Sequence, residues 1–257
     1  MDFAVLVLSC DKYSHIWPAF FKSWHKYFPD CRWPVYLGSN TITFNDKSAK
    51  TLLSQGDPDW STSLLRILQQ IPEKYIFIIL EDLLLASPMN SANFVQAGEF
   101  MAKNQAKYIK YYVPFYKDGD VPGEPFGVLA RGNPRRVSVV AYWDKDYLKS
   151  LLIPGESPWN FEIMGPYRTS YTDGFYTMKN TLCEFANMIE RGHWYPSALR
   201  WAESEGLDVG LASRPVLKGG VGIKSIVQSW VYRLMFKIPW PTRVKVVNFL
   251  RRLFISY

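Results

Sequence analysis

Three runs of near-continuous apolar residues, each stopping abruptly in polar ones, set the pattern of the first third of the chain. Residues 3–9 (FAVLVLS) lead into Cys10-Asp11-Lys12, residues 34–37 (PVYL) into Gly38-Ser39-Asn40, and residues 75–80 (YIFIIL) into Glu81-Asp82. Short apolar runs bounded by turn-forming residues predict buried strands. Between them the hydrophobic period changes to that of a helix. Trp17, Phe20, Phe21, Trp24 and Tyr27 share one face over 15–28, and Trp60, Leu64, Leu65, Leu68 and Ile71 share another behind Asp59 or Ser61 as cap. Strands without in/out alternation, separated by amphipathic helices, predict a parallel sheet covered on both faces.

The second half is less regular. A helix is predicted over 90–106, with Phe94, Ala97 and Phe100 inward, and strands over 108–113 and 137–143. Asp144 is placed to cap a helix that buries Tyr147, Leu148, Leu151 and Leu152. Ser157-Pro158 reads as a helix start, with Ser as cap and Pro at the first position. Residues 117–136, rich in Gly, Pro and charge, read as a loop. The fold class expected is α/β, a single Rossmann-type domain with a mixed central sheet. The expected division is 1–208 as one domain, with halves 1–88 and 89–208, followed by a tail at 209–257.

That tail is where charge changes the picture. The formal net charge is +7, from 30 basic and 23 acidic residues. Nine of the basic residues (Arg214, Lys218, Lys224, Arg233, Lys237, Arg243, Lys245, Arg251 and Arg252) lie beyond position 208, with no acidic residue among them, so residues 1–208 hold 21 basic against 23 acidic. A near-neutral body argues against a nucleic-acid binder, which carries its charge on the body. The tail also has apolar stripes at helical spacing, Val227, Trp230, Val231 and Leu234, then Val244, Val247, Leu250 and Phe254 after Pro239-Trp240-Pro241. Basic amphipathic helices carrying Trp and Phe favour an anionic bilayer surface; a helix pair docked on the body is the plainer alternative.

Three widely spaced cysteines predict neither a disulfide framework nor a Cys-rich zinc site, and suit a reducing compartment. The start of the chain does not read as a signal peptide, and no run approaches the ~18 apolar residues of a membrane span. His15, His25 and His193 form no metal-binding spacing.

Candidate chemistry gathers at the strand ends, because open α/β sheets bind ligands outside the carboxyl ends of their strands. Neither a glycine-rich dinucleotide fingerprint nor a P-loop follows any of them. Glu81-Asp82 is the most informative pair. Two adjacent acids inside an apolar run are costly to bury unpaired, and a divalent cation on a diphosphate, a sugar hydroxyl or an arginine would offset that cost. An ordinary helix N-terminus, where acids are favoured, is the alternative. Glu162 is the second candidate, with Trp159 and Phe161 expected to desolvate it as a general base requires. Asp11 sits where it would contact a base or ribose, or else cap a helix. Arg131, Arg135 and Arg136 flank the loop and would meet phosphate or water. His193, Cys10 and Cys183 read as structural.

The order of these motifs resembles bacterial GT-A-type glycosyltransferases of surface-polysaccharide biosynthesis, those of lipopolysaccharide O-antigen and capsule clusters. Strand-Ser9-Cys10-Asp11, strand-Gly38-Ser39-Asn40, Trp60-Ser61 opening a helix, Leu80-Glu81-Asp82, and the later Trp143 and Ser157-Pro158-Trp159-Asn160-Phe161-Glu162 carry the likeness over residues 3–205. The resemblance implies a nucleotide-sugar donor, inversion at the anomeric carbon, and a glycan or lipid-linked glycan acceptor. On it, Ser9, Asp11, Asn40, Trp60, Ser61, Glu81 and Asp82 hold the donor, Glu162 deprotonates the acceptor hydroxyl, and Trp159 and Arg131 lie on the acceptor side. Where the family has Asp-x-Asp on a metal–diphosphate, this chain has Leu80-Glu81-Asp82, so Asp82 takes Mg or Mn or the site works without metal. The enzyme is then peripheral on the cytoplasmic face of the inner membrane. A non-catalytic carbohydrate-binding protein at a membrane surface, or a metal-dependent phosphoesterase built on Asp11, Glu81 and Asp82, is the rival reading.

Overall fold

Apolar at every position, Phe3–Leu8 forms strand β1 and buries all six residues. The two faces of this strand serve two different cores. Val5 and Val7 point into one, with α1 (Trp17–Tyr27) and α3 (Ser91–Asn104) over it. Ala4, Leu6 and Leu8 point into the other, covered by α2 (Trp60–Leu68), α4 (Lys145–Leu151) and α5 (Pro158–Thr169). The description comes from a computed structural model and covers residues 2–112, 117–132, 135, 137–190 and 192–217, with five further positions at 230, 234, 242, 245 and 249.

The remaining strands are β2 (Val35–Ser39), β3 (Lys50–Leu53), β4 (Tyr75–Leu80), β5 (Leu83–Leu85), β6 (Tyr108–Lys110), β7 (Gly119–Asp120), β8 (Phe126–Val128), β9 (Ala141–Asp144), β10 (Phe175–Met178), β11 (Phe185–Asn187), β12 (Ile189–Glu190) and β13 (His193–Trp194); α6 spans Pro196–Ser204. Among the described residues nine strands make one sheet in the order β3-β2-β1-β4-β9-β6-β10-β8-β7. Its first four are parallel, and β9 enters antiparallel between β4 and β6. The α/β class with a mixed central sheet, expected above, is what the chain forms.

Helix starts follow local chemistry. The side chains of Asp59, Asn90, Asp144 and Ser157 each accept a hydrogen bond from the backbone N–H three residues on, which satisfies a donor the helix itself leaves free.

Three expectations need correction. The strand expected over 108–113 is described only at Tyr108–Lys110, and the one over 137–143 begins at Ala141. Residues 117–136 contain the hairpin β7–β8. The sheet also takes in β3 and β10, for which the apolar pattern gave no warning. Of the tail, Trp230, Leu234, Thr242, Lys245 and Phe249 are helical and exposed. Its apolar stripes otherwise lie outside the described residues.

The entry to β10 depends on one glycine. Gly174 has φ +89°, and its carbonyl accepts from Lys107 and Tyr108 N–H at 2.9 and 3.2 Å. A Cβ there would lie 3.3 Å from the Lys107 backbone nitrogen. Left-handed backbone costs an L-residue roughly 1–2 kcal/mol, so Gly174→Ala is expected to lower stability by about that much. The check is a lower urea midpoint at unchanged m-value.

Candidate functional site

The register brings the polar strand ends together. Leu8 pairs with Gly38 on one side and Leu80 on the other, so Ser9-Cys10-Asp11, Ser39-Asn40 and Glu81-Asp82 emerge side by side at the carboxyl edge of the parallel strands.

Asp11 and Asn40 form a reciprocal clasp. The Asn40 side-chain oxygen accepts from the Asp11 N–H at 3.0 Å, and the Asp11 carboxylate accepts from the N–H groups of Asn40, Thr41 and Ile42 and from the Ser39 and Thr41 hydroxyls. Burial pushes this carboxyl upward in pKa, but those hydrogen bonds outweigh it and hold the group well below the usual carboxylate range. The Asn40 amide nitrogen lies within hydrogen-bonding reach of Ser54 Oγ, the Gly56 carbonyl and the Asp57 carboxylate. Both side chains therefore shape the rim of the site and hold its 39–42 turn.

Glu81 is buried and Asp82 half-buried. Burial, then the neighbouring Asp82, pushes the Glu81 carboxyl well up, with the Ser9 hydroxyl acting in the opposite sense. Burial raises Asp82 to about 6, opposed by its own backbone N–H and by the Arg214 guanidinium. The Ser9 hydroxyl also accepts the Trp17 indole N–H at 2.7 Å.

Arg214 was legible in the sequence only as the first cation of a basic tail. It is carried by a strap after α6, stacks on the Tyr13 ring at 4.1 Å and donates to the Lys12 carbonyl at 3.3 Å. No local motif sets it apart from the other eight.

Trp60 and Ser61 open α2. Trp60 packs on Phe161 (centroids 5.5 Å apart), and the Ser61 hydroxyl donates to the Ile153 carbonyl at 2.5 Å. Ser61 also exchanges hydrogen bonds with the Glu156 backbone, and Glu156 pairs with Arg168 on α5. Helix α2 and the helix carrying Glu162 are thus stitched together.

Glu162 accepts from the Ser138 hydroxyl at 2.9 Å and the Val139 N–H at 3.4 Å. Since Ile78 pairs with Ala141, residues 138–139 flank the end of β4, and Glu162 stands at the same sheet edge as Glu81. The enclosure expected from flanking aromatics does not form. Phe161 turns into the core, Trp159 is 73% exposed, and Glu162 is itself exposed. The physical reason is helical geometry, which turns successive side chains about 100° apart. Trp159, Ile163, Tyr167 and Tyr171 instead form an exposed stripe at four-residue spacing along and just beyond α5.

Elsewhere the arginines have local duties. Arg131 forms an exposed ion pair with Asp173, at 3.4 Å. Arg135 is buried over the Phe175 ring and donates to the Leu129 and Thr172 carbonyls; Arg136 lies outside the described residues. Cys10 is half-buried, and burial pushes its thiol up to about 11. Among the described residues no group of three His, Cys, Asp or Glu is placed to hold a metal, so Glu81 and Asp82 fit a cation only where a ligand supplies further oxygens.

No protein-family model matches this chain, and no curated protein matches it. Similar solved structures do exist. Residues 1–349 of Staphylococcus aureus TarS align over 72% of this chain and 59% of that one, at 13% identity and a TM-score of 0.46; in complex with UDP-GlcNAc the values are 72%, 57%, 14% and 0.45. The chain thus spans less than two thirds of that protein's length. Glucosyl-3-phosphoglycerate synthase from Mycobacterium tuberculosis, crystallised with Mn2+, UDP and phosphoglyceric acid, aligns over 86% of this chain and 81% of that one, at 13% identity and a TM-score of 0.45.

Proposed function

We propose that this protein is a glycosyltransferase that moves a sugar from a nucleotide-sugar donor to a hydroxyl of a glycan acceptor. The observation that carries the reading is the shared edge. A carboxylate pair, Glu81 buried and Asp82 half-buried, stands at the end of β4, and a separate, solvent-accessible carboxylate, Glu162, is brought beside the same strand end by Ser138 and Val139. Donor activation and acceptor deprotonation need two such groups with different surroundings.

In this reading the 39–42 turn and the start of α2 shape the nucleoside pocket, with Asp11, Asn40, Trp60 and Ser61 as its frame and Ser9 beside Glu81. Glu81 and Asp82 orient the diphosphate and donor sugar. Asp82, with Glu81, would hold Mg or Mn shared with the diphosphate, and such a cation would neutralise charge on the leaving group. Glu162 accepts the proton of the attacking hydroxyl, which gives inversion when attack is in line. The exposed Trp159 and Tyr167 offer aromatic faces to acceptor sugars. Arg131 is left out of this role, because its partner Asp173 precedes β10, whose start lies at the amino edge of β4, away from Glu81. We further propose that the basic tail holds the enzyme at the cytoplasmic face of an anionic membrane, where a lipid-linked glycan would be presented, as in O-antigen or capsule assembly.

A thermal-shift screen against UDP-, GDP-, dTDP- and CMP-sugars, with Mn2+ and with EDTA, tests this. UDP-GlcNAc and UDP-glucose are natural first probes. A true donor at a hundred times its Kd is expected to add about 2.7 kcal/mol of stability, read as a clear rise in Tm for one nucleotide class. Silence of the folded protein towards all four classes would remove the reading.

A further inference from the structure

We propose that Arg214 is a diphosphate-binding residue of this site, brought there by the C-terminal strap and not by the sheet. The inference rests on the transferase reading and adds the cation that the sheet residues lack.

The geometry is a built one. Beyond β1 the chain turns and presents the Lys12 carbonyl and the Tyr13 ring next to the ends of β1 and β4, and Arg214 is fixed on both. Its strap is tied down at several points. The Trp194 N–H donates to the Pro215 carbonyl and the Leu217 N–H to the Trp194 carbonyl, each at 2.9 Å, and the Trp194 indole donates to the Leu211 carbonyl at 3.1 Å. The same frame holds the acid pair, since the Asp82 carbonyl accepts from Met188 N–H at 2.8 Å and the Met188 carbonyl from Tyr195 N–H at 2.9 Å. Strap and acid turn therefore keep a set distance.

Two features point to an anionic ligand. Arg214 is half-buried, and among the described residues its Nε–H has no acceptor; an unmet buried donor is costly. No carboxylate among the described residues forms an ion pair with Arg214, although its charge acts on both Glu81 and Asp82. A guanidinium offers a planar fork matched to phosphate oxygens, and this one stands outside the carboxyl ends of parallel strands, where ligands of such sheets lie. A diphosphate approaching Glu81 and Asp82 alone would meet like charge. Arg214 offsets part of that charge.

The test is calorimetric titration of the full-length protein with inorganic pyrophosphate and with UDP, in EDTA, alongside a sugar-transfer assay. Wild type is expected to bind pyrophosphate, Arg214→Gln to bind it at least tenfold more weakly, and Arg214→Lys to recover part of the loss. Arg32→Gln, which removes one charge far from the site, should match wild type. Failure of wild type to bind pyrophosphate, or equal affinity in wild type and Arg214→Gln, would overturn the inference. Should Arg214→Gln not fold, Arg214→Lys decides, because unchanged affinity without the fork would overturn it. Sugar transfer that persists without dependence on Arg214 sinks this inference alone. Arg214-dependent pyrophosphate binding with no transfer from any nucleotide sugar sinks the transferase reading alone.

Discussion

Glu162→Gln is expected to cut the turnover number by a hundredfold to ten-thousandfold while leaving donor affinity unchanged. A positioned general base contributes about that much to the rate, and an amide cannot take the proton. The substitution should otherwise be quiet. Glu162 is exposed, and the Gln carbonyl can still accept from Ser138 and Val139, so stability should move by no more than about 0.5 kcal/mol. Steady-state kinetics against donor and acceptor, with a thermal melt of each protein, provides the check. Undiminished turnover in the Gln variant would exclude Glu162 as the base. A protein that binds glycans equally well with either residue and never transfers a sugar would be a carbohydrate-binding module, for which the exposed stripe of Trp159, Ile163, Tyr167 and Tyr171 already provides a surface.

The second large effect concerns the acid pair and runs against intuition: neutralising it should strengthen the fold and weaken function. In the folded protein Asp82 titrates near 6 and Glu81 well above its ordinary value, both chiefly through burial. An acid whose pKa is raised on folding retains its proton when the unfolded chain has lost it. Stability therefore falls as pH rises from the ordinary carboxylate range, about 4, through about 6 for Asp82 and higher for Glu81. His15, lowered mainly by burial and then by Arg214, acts in the opposite sense near pH 6, so the informative quantity is the difference between wild type and variant. Asp82→Asn is expected to gain about 1–2 kcal/mol at pH 7.5, since a tenfold change in proton affinity is worth about 1.4 kcal/mol and the half-exposed group keeps part of its hydration. At pH 4 the gain should vanish. Urea unfolding across this range tests the sign, and nucleotide-sugar titration of the same variant should show weakened donor binding. A variant less stable than wild type at pH 7.5 would mean that the pair is satisfied in a way its burial does not suggest.

The parts of the fold legible in the sequence are those whose signal is local and redundant. Strands β1 and β4 are apolar at nearly every position because both faces are buried, and Asp59, Asn90, Asp144 and Ser157 mark helix starts by chemistry that acts within three residues. Strand β3 was illegible because Lys50–Leu53 lies at the sheet edge with one buried residue. Strand β10 is four residues long and is defined by partners in β6 and β8, distant in sequence. The clustering of strand ends followed from the α/β pattern alone. Arg214 did not, since its place depends on a strap paired to Trp194. The surroundings of Glu162 are not legible in its sequence neighbours, because a helix turns adjacent side chains about 100° apart and so separates Glu162 from Phe161 and Trp159.

The insertion of β9 between β4 and β6 has a consequence for the newborn chain. Protein synthesis proceeds from the N-terminus, so β1, β2 and β4 are complete long before residues 141–144 exist. Throughout that interval β4 presents one open edge of a strongly apolar strand, the type of surface that recruits wrong partners. Until β9 arrives to close it, the ribosome-bound intermediate is the form of this protein most in need of a chaperone, and slow translation through the segment between β4 and β9 would prolong that need.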